Sequence, residues 1–142
     1  MLTSRSGIAI VASFALLLAA LPAAAQAVNL KAQLSGAAEV PPNDSKGTGS
    51  VTLTFDPATK KLSWKGTHSG MTTNPSAAHF HGPADPTKNA GVVVPIPNPG
   101  NAFEGSADLT DSQAADVLAG RWYVNLHTAA HPAGELRGQV TK

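Results

Sequence analysis

Four of the five histidines in this 142-residue chain fall in or beside two short segments, Ala78-His79-Phe80-His81 and Trp122-Tyr123-Val124-Asn125-Leu126-His127, with His131 just after the second. Side chains alternate between faces along an extended strand. His79 and His81 would therefore project together, while Phe80 turns the other way toward a core. Asn125 and His127 share a face by the same rule. If the two strands are neighbours, three imidazoles converge and His131 can add a fourth. Neutral imidazole is a good ligand for copper, zinc or nickel. The competing account is that these rings only hydrogen-bond turns and backbone. His68, within His68-Ser69-Gly70, reads as part of a turn and is left outside the site.

The rest of the sequence offers little other chemistry. There is no cysteine, which excludes disulfides, thiolate zinc sites, iron–sulfur clusters and cysteine nucleophiles from this sequence. Ten Lys and Arg stand against nine Asp and Glu, and only 13% of residues are charged. Such a chain has no basic stripe for phosphates, so nucleic acid is not an expected partner. No G-x-S-x-G elbow occurs, and Gly91-Val92-Val93-Val94 lacks phosphate-loop spacing. Asp85, Glu104 and Glu135 read as turn or exposed-strand residues rather than paired catalytic carboxylates. Glu39 is expected to organise its loop through hydrogen bonds to backbone amides. With seven aromatic residues in all, Trp64, Trp122 and Tyr123 are assigned to the core rather than to a carbohydrate surface. Arg137 could guide an anion toward a metal, but a surface or hairpin-pairing Arg is the preferred reading.

The elements that would position the histidines follow from periodicity. Val28, Leu30, Ala32 and Leu34 alternate as in a strand with one buried face, and Ala37 to Val40 reads as an extension stopped by Pro41-Pro42. Val51, Leu53 and Phe55, the turn residues 56–61 and Leu62 to Gly66 form a hairpin. Ala77 to His81 is a short strand. Gly91 to Ile96 is β-branched, but Pro95, Pro97 and Pro99 confine its end to an edge or loop. Ala102 to Leu109 is a further strand. Thr110 caps one short helix that Gly120 terminates. Arg121 to Thr128 and Glu135 to Thr141 form a closing hairpin around the turn His131-Pro132-Ala133-Gly134. The fold class is all-β: a small antiparallel sandwich or barrel with one short helix.

Ahead of these elements, Met1 to Arg5 is basic and Gly7 to Leu21 is an apolar run shorter than a spanning helix needs. Small-x-small sites follow, after Ala25 and after Ala27. Residues 1–25 are expected to be a secretory signal peptide and residues 26–142 the domain. Cleavage removes Arg5 and leaves nine basic residues against nine acidic ones. The expected location is the periplasm or the medium, with no later membrane span.

Four segments stand out together: Leu34-Ser35-Gly36-Ala37-Ala38-Glu39-Val40-Pro41-Pro42, Ala78-His79-Phe80-His81-Gly82-Pro83-Ala84, Trp122 to Thr128, and Gly134-Glu135-Leu136-Arg137-Gly138-Gln139-Val140. In type and order they resemble the CHRD domain, named for chordin and found also in single-domain secreted bacterial proteins. The resemblance implies an exported β-sandwich, immunoglobulin-like or related. It does not imply growth-factor binding, because the cysteine-rich modules that accompany the domain in chordin are not in this sequence. The His-x-His strand, the later Val-x-x-His element and the last strand also partly resemble copper–zinc superoxide dismutase. That family has further His and an Asp between the two elements, whereas here no His lies between His81 and His127. At most a copper-only or mononuclear site remains.

Three functional readings follow. The preferred one is a non-enzymatic exported binding protein that takes one copper or zinc ion at His79, His81, His127 and His131. A copper-only redox enzyme resembling superoxide dismutase would use the same residues with an open coordination position. A structural or protein-interaction module of the envelope would leave the histidines incidental, with an extracytoplasmic protein as partner.

Overall fold

The computed structural model describes residues 25–142. The signal-peptide expectation lies outside these residues except at Ala25. Among the described residues eight strands form one antiparallel sheet: β1 (Val28–Ser35), β2 (Thr48–Asp56), β3 (Lys61–Ser69), β4 (Ala77–His81), β5 (Val92–Pro95), β6 (Ala102–Asp108), β7 (Tyr123–His127) and β8 (Leu136–Gln139). Their order is β5-β4-β7-β8-β1-β2-β3-β6. The all-β expectation holds.

Hydrophobic alternation determines which face each strand buries. Leu30, Ala32 and Leu34 of β1, Val51, Leu53 and Phe55 of β2, and Leu62 and Trp64 of β3 point inward between exposed neighbours. The sheet closes on itself. Trp64 of β3 and Phe80 of β4 have four strands between them in sheet order, yet their rings meet edge to face at 5.0 Å. Phe80 also packs on Trp122 at 5.9 Å. The corner lies between β1 and β8, which share one strand pair, Ser35 with Arg137, and one isolated bridge, Lys31 with Thr141. The resulting barrel or sandwich is nearly closed around this core.

The one α-helix among the described residues, α1 (Asp111–Leu118), starts where expected. Thr110 Oγ1 accepts from the Gln113 N–H and the Gln113 side chain accepts from the Thr110 N–H, a reciprocal capping box. Gly120 follows with φ +73°, a conformation that favours glycine and ends the helix. Thr110→Ala should destabilise the domain by about 1 kcal/mol in urea unfolding, because it leaves the Gln113 N–H without its cap.

Several local expectations are corrected. Residues 36–38 form a 3-10 turn rather than a strand extension, since Glu39 N–H and Asn43 N–H both donate to the Gly36 carbonyl. His68 is not in a turn: it lies in β3 opposite Gly49 and is buried. The long alternation Leu62, Trp64, Gly66, His68 carries the strand to Ser69 before Gly70 breaks it with φ +69°. Glu135 is not an exposed strand residue but fully buried, and Arg137 is not at the surface. Both are enclosed because loops fold across the outer face of β7 and β8.

Candidate metal centre

β4 and β7 are hydrogen-bonded neighbours with Ala77 opposite His127, His79 opposite Asn125 and His81 opposite Tyr123. This register is what brings the histidines together. Ala78 and Phe80 fill the core, so Ala77, His79 and His81 occupy the outer face, where β7 presents Tyr123, Asn125 and His127. On the other side of β4 the pairing with β5 slips by a bulge between Phe80 and His81.

The imidazoles of His79, His81 and His127 each bring one nitrogen to within 4.8 Å of the others. His79 and His127 rings lie 5.0 Å apart, His79 and His81 5.5 Å, and His81 and His127 5.9 Å. Hydrogen bonds on the far side of two rings decide their tautomers. His81 Nδ1 donates to the Ala90 carbonyl at 2.9 Å, and His127 Nδ1 donates to the Pro132 carbonyl at 3.1 Å. A carbonyl can only accept, so in both neutral rings Nε2 carries the lone pair. His79 Nδ1 sits 3.2 Å from His127 Nε2 and donates to it. His81 Nε2 is buried with no hydrogen-bond partner among the described residues. Burial, and next the charge of His127, holds the His79 pKa below the usual histidine value. Burial is likewise the main cause depressing His81, partly opposed by its bond to Ala90, with smaller contributions from His127, His79 and Arg137. Both rings are therefore neutral at physiological pH, the form that binds metals.

His131 stands elsewhere. Its N–H donates to the Thr128 carbonyl and hydroxyl in the turn after β7, and it is not one of the three converging rings. That turn instead places Pro132, whose carbonyl orients His127.

A buried polar layer supports the cluster from below. Tyr123 stacks on His81 with ring centroids 5.0 Å apart and planes 7° from parallel, and the Arg137 guanidinium lies 3.6 Å from the Tyr123 ring centroid. The Tyr123 hydroxyl donates to the Ala90 carbonyl that also holds His81, and accepts from the Ala90 N–H. Arg137 Nη1 donates to Asn89 Oδ1 at 2.8 Å and Nη2 to the Lys88 carbonyl at 2.7 Å. Asn89 in turn donates to the Val40 carbonyl, tying the 82–91 loop to the 36–45 loop. Asn125, between His79 and Arg137 across the sheet, donates to Glu39 Oε1 and to the Leu136 carbonyl. Gly134 has φ +135°, and a Cβ there would sit 2.5 Å from both Asn125 Nδ2 and Glu39 Oε1, so only glycine fits over this pair. Against the expectation that Glu39 bonds backbone amides of its loop, its carboxylate accepts from the Asn125 side-chain amide on β7.

A family model for the CHRD domain matches residues 30–140. The chain belongs to the CHRD domain family. No curated protein and no solved structure gives a significant match. Within this CHRD domain the β4–β7 register brings together His79, His81 and His127, which the sequence joined only on the condition that the two strands are neighbours. The structure adds Tyr123, assigned to the core, Arg137, read as a surface or hairpin residue, and the Ala90 carbonyl, which no motif marked. For Tyr123 a signal was available, since it lies four residues before His127 and so on the same strand face. Trp64 and Trp122 are core residues as expected. A surface concavity of about 680 Å3 is lined by Ser50, Thr52, Lys65, Thr67, Phe103 and Glu104 on strands other than those of the histidines. No helix among the described residues is long and apolar enough to cross a membrane.

Proposed function

We infer that this CHRD domain is a non-enzymatic binding module that works outside the cytoplasm and takes one copper or zinc ion at His79, His81 and His127. The observation that carries the reading is the buried, unpartnered Nε2 of His81 beside two further imidazoles, with carbonyls behind His81 and His127 fixing the tautomer. A buried acceptor without a partner is costly, and a bound cation satisfies it. Backbone carbonyls on the remote nitrogen are the usual outer support of a metal-binding histidine. The site fits a three-nitrogen centre, and partial exposure of His79 and His127 leaves a coordination position open to solvent. Export is supported by the basic start and apolar run of residues 1–21.

The test is titration of the exported form with Cu(I), Cu(II) and Zn(II) beside a His79→Ala/His81→Ala variant whose fold is verified by circular dichroism. One ion per chain is expected in the wild type, with affinity weakened at least about tenfold in the variant. Equal binding by the two proteins would sink the metal reading and leave a protein-interaction module as the alternative. A dismutase assay on the loaded protein separates a carrier from a redox enzyme.

A further inference from the structure

We propose that the histidine cluster is built for univalent copper rather than a divalent ion, and that the Arg137–Tyr123–His81 stack enforces the preference. This inference rests on the metal reading above and specifies which ion the site favours. The donor set is three neutral imidazoles, and among the described residues no Asp or Glu belongs to the cluster. The groups behind His81 and His127 are backbone carbonyls, not carboxylates. Nothing in direct contact therefore neutralises a metal charge.

What the site does contain is an additional positive charge. Arg137 is fully buried, remains protonated, and lies against one partner of a near-parallel ring pair whose other member is the ligand His81. Its guanidinium is satisfied by Asn89 and by the Lys88 carbonyl, both neutral. Glu39 is the acid that interacts with it, and burial raises that carboxyl to about 7, so the Arg137 charge is uncompensated below pH 7, where the ion preference is read. By Coulomb's law a buried cation on the order of 10 Å from another ion opposes each unit of that ion's charge by about tenfold in affinity. A divalent ion bears that penalty twice and a univalent ion once. Three neutral nitrogen donors satisfy Cu(I) without an anionic ligand, and they also suit Zn(II) and Cu(II), so the charge of Arg137, which a divalent ion bears twice, is what sets the preference.

The measurement is competition of the exported protein against calibrated chelators for Cu(I), Cu(II) and Zn(II), with the copper reduction potential read by voltammetry. Wild type is expected to hold Cu(I) tighter than either divalent ion. Arg137→Gln should strengthen Cu(I) binding about tenfold and Cu(II) and Zn(II) about a hundredfold, lowering the potential by about 59 mV. Because loss of a buried Arg can unfold the chain, Ala77→Asp provides a second route. Ala77 is half-buried on the ligand face opposite His127, and a carboxylate there offsets the charge without touching the stack. It should move the same ratio in the same direction. Divalent binding as tight as Cu(I) in the wild type overturns the preference while leaving the metal site standing. An unmoved ratio in a folded variant overturns the electrostatic cause, and no binding of any ion overturns the metal reading itself.

Discussion

Glu135→Gln is expected to lower the unfolding free energy by about 3 kcal/mol at pH 7 and to remove most of the acid sensitivity of the domain. Glu135 is fully buried and accepts four hydrogen bonds: from Ser45 Oγ at 2.7 Å, Thr72 N–H at 2.8 Å, Thr72 Oγ1 at 2.6 Å and Thr128 Oγ1 at 2.6 Å. Burial alone would raise its pKa, but the bonds from Thr128, Thr72 and Ser45 overcome this and hold it at about 2 against an ordinary value of 4.5. That depression corresponds to about 3 kcal/mol of stability. Because the folded value is the lower one, the contribution is complete above pH 4.5 and disappears as pH falls toward 2. A glutamine can let the hydroxyls turn and donate in return. It cannot reproduce a carboxylate that takes every bond as an acceptor, and its amide N–H opposes the Thr72 N–H. Urea unfolding between pH 2 and pH 7 checks this. Wild type should weaken steeply below pH 4.5 and the variant should not. An acid limb of equal depth in both would place the sensitivity elsewhere.

Much of the inner architecture was legible because it depends on a period of two. Leu30, Ala32 and Leu34, or Val51, Leu53 and Phe55, announce a strand and its buried face within a few residues. The pairing of His79 with His81 was legible for the same reason. The convergence of His79 with His127 was not, since 48 residues separate them and only the β4–β7 register joins them. His68 was misread because Ser69-Gly70 is a strong local turn signal, and the alternation running through β3 overrode it. Glu135 and Arg137 were misread for a different reason. A charged residue on the non-core side of a strand normally faces water, and no short-range pattern reveals that the 36–45 and 82–91 loops will cover it. The hidden part of the site is this second layer, held by Asn89, Asn125 and Glu39 across long separations in the chain.

Glu39→Gln should do the opposite of Glu135→Gln and stabilise the protein, by about 2–3 kcal/mol at pH 8. Glu39 is buried beneath the turn at Gly134. Desolvation raises its pKa from 4.5 to about 7, against smaller lowering contributions from the Asn125 hydrogen bond and the Arg137 charge. These two groups face it from β7 and β8. The folded state therefore binds this proton more tightly than the unfolded chain does. Stability relative to the unfolded chain is greatest below pH 4.5, falls as pH rises from 4.5 through about 7, and is then fully lost with respect to this group. Glutamine mimics the protonated form, and its carbonyl still accepts from Asn125 Nδ2. Arg137 keeps Asn89 and the Lys88 carbonyl as partners. The two glutamates thus oppose one another: one weakens the fold below pH 4.5 and the other above it, so wild-type stability should peak near pH 4.5. In the same urea series, Glu39→Gln is expected to flatten the alkaline limb and leave the acid limb intact. A variant less stable than wild type at pH 8 would mean that the ionised Glu39 contributes more through Arg137 than burial costs it.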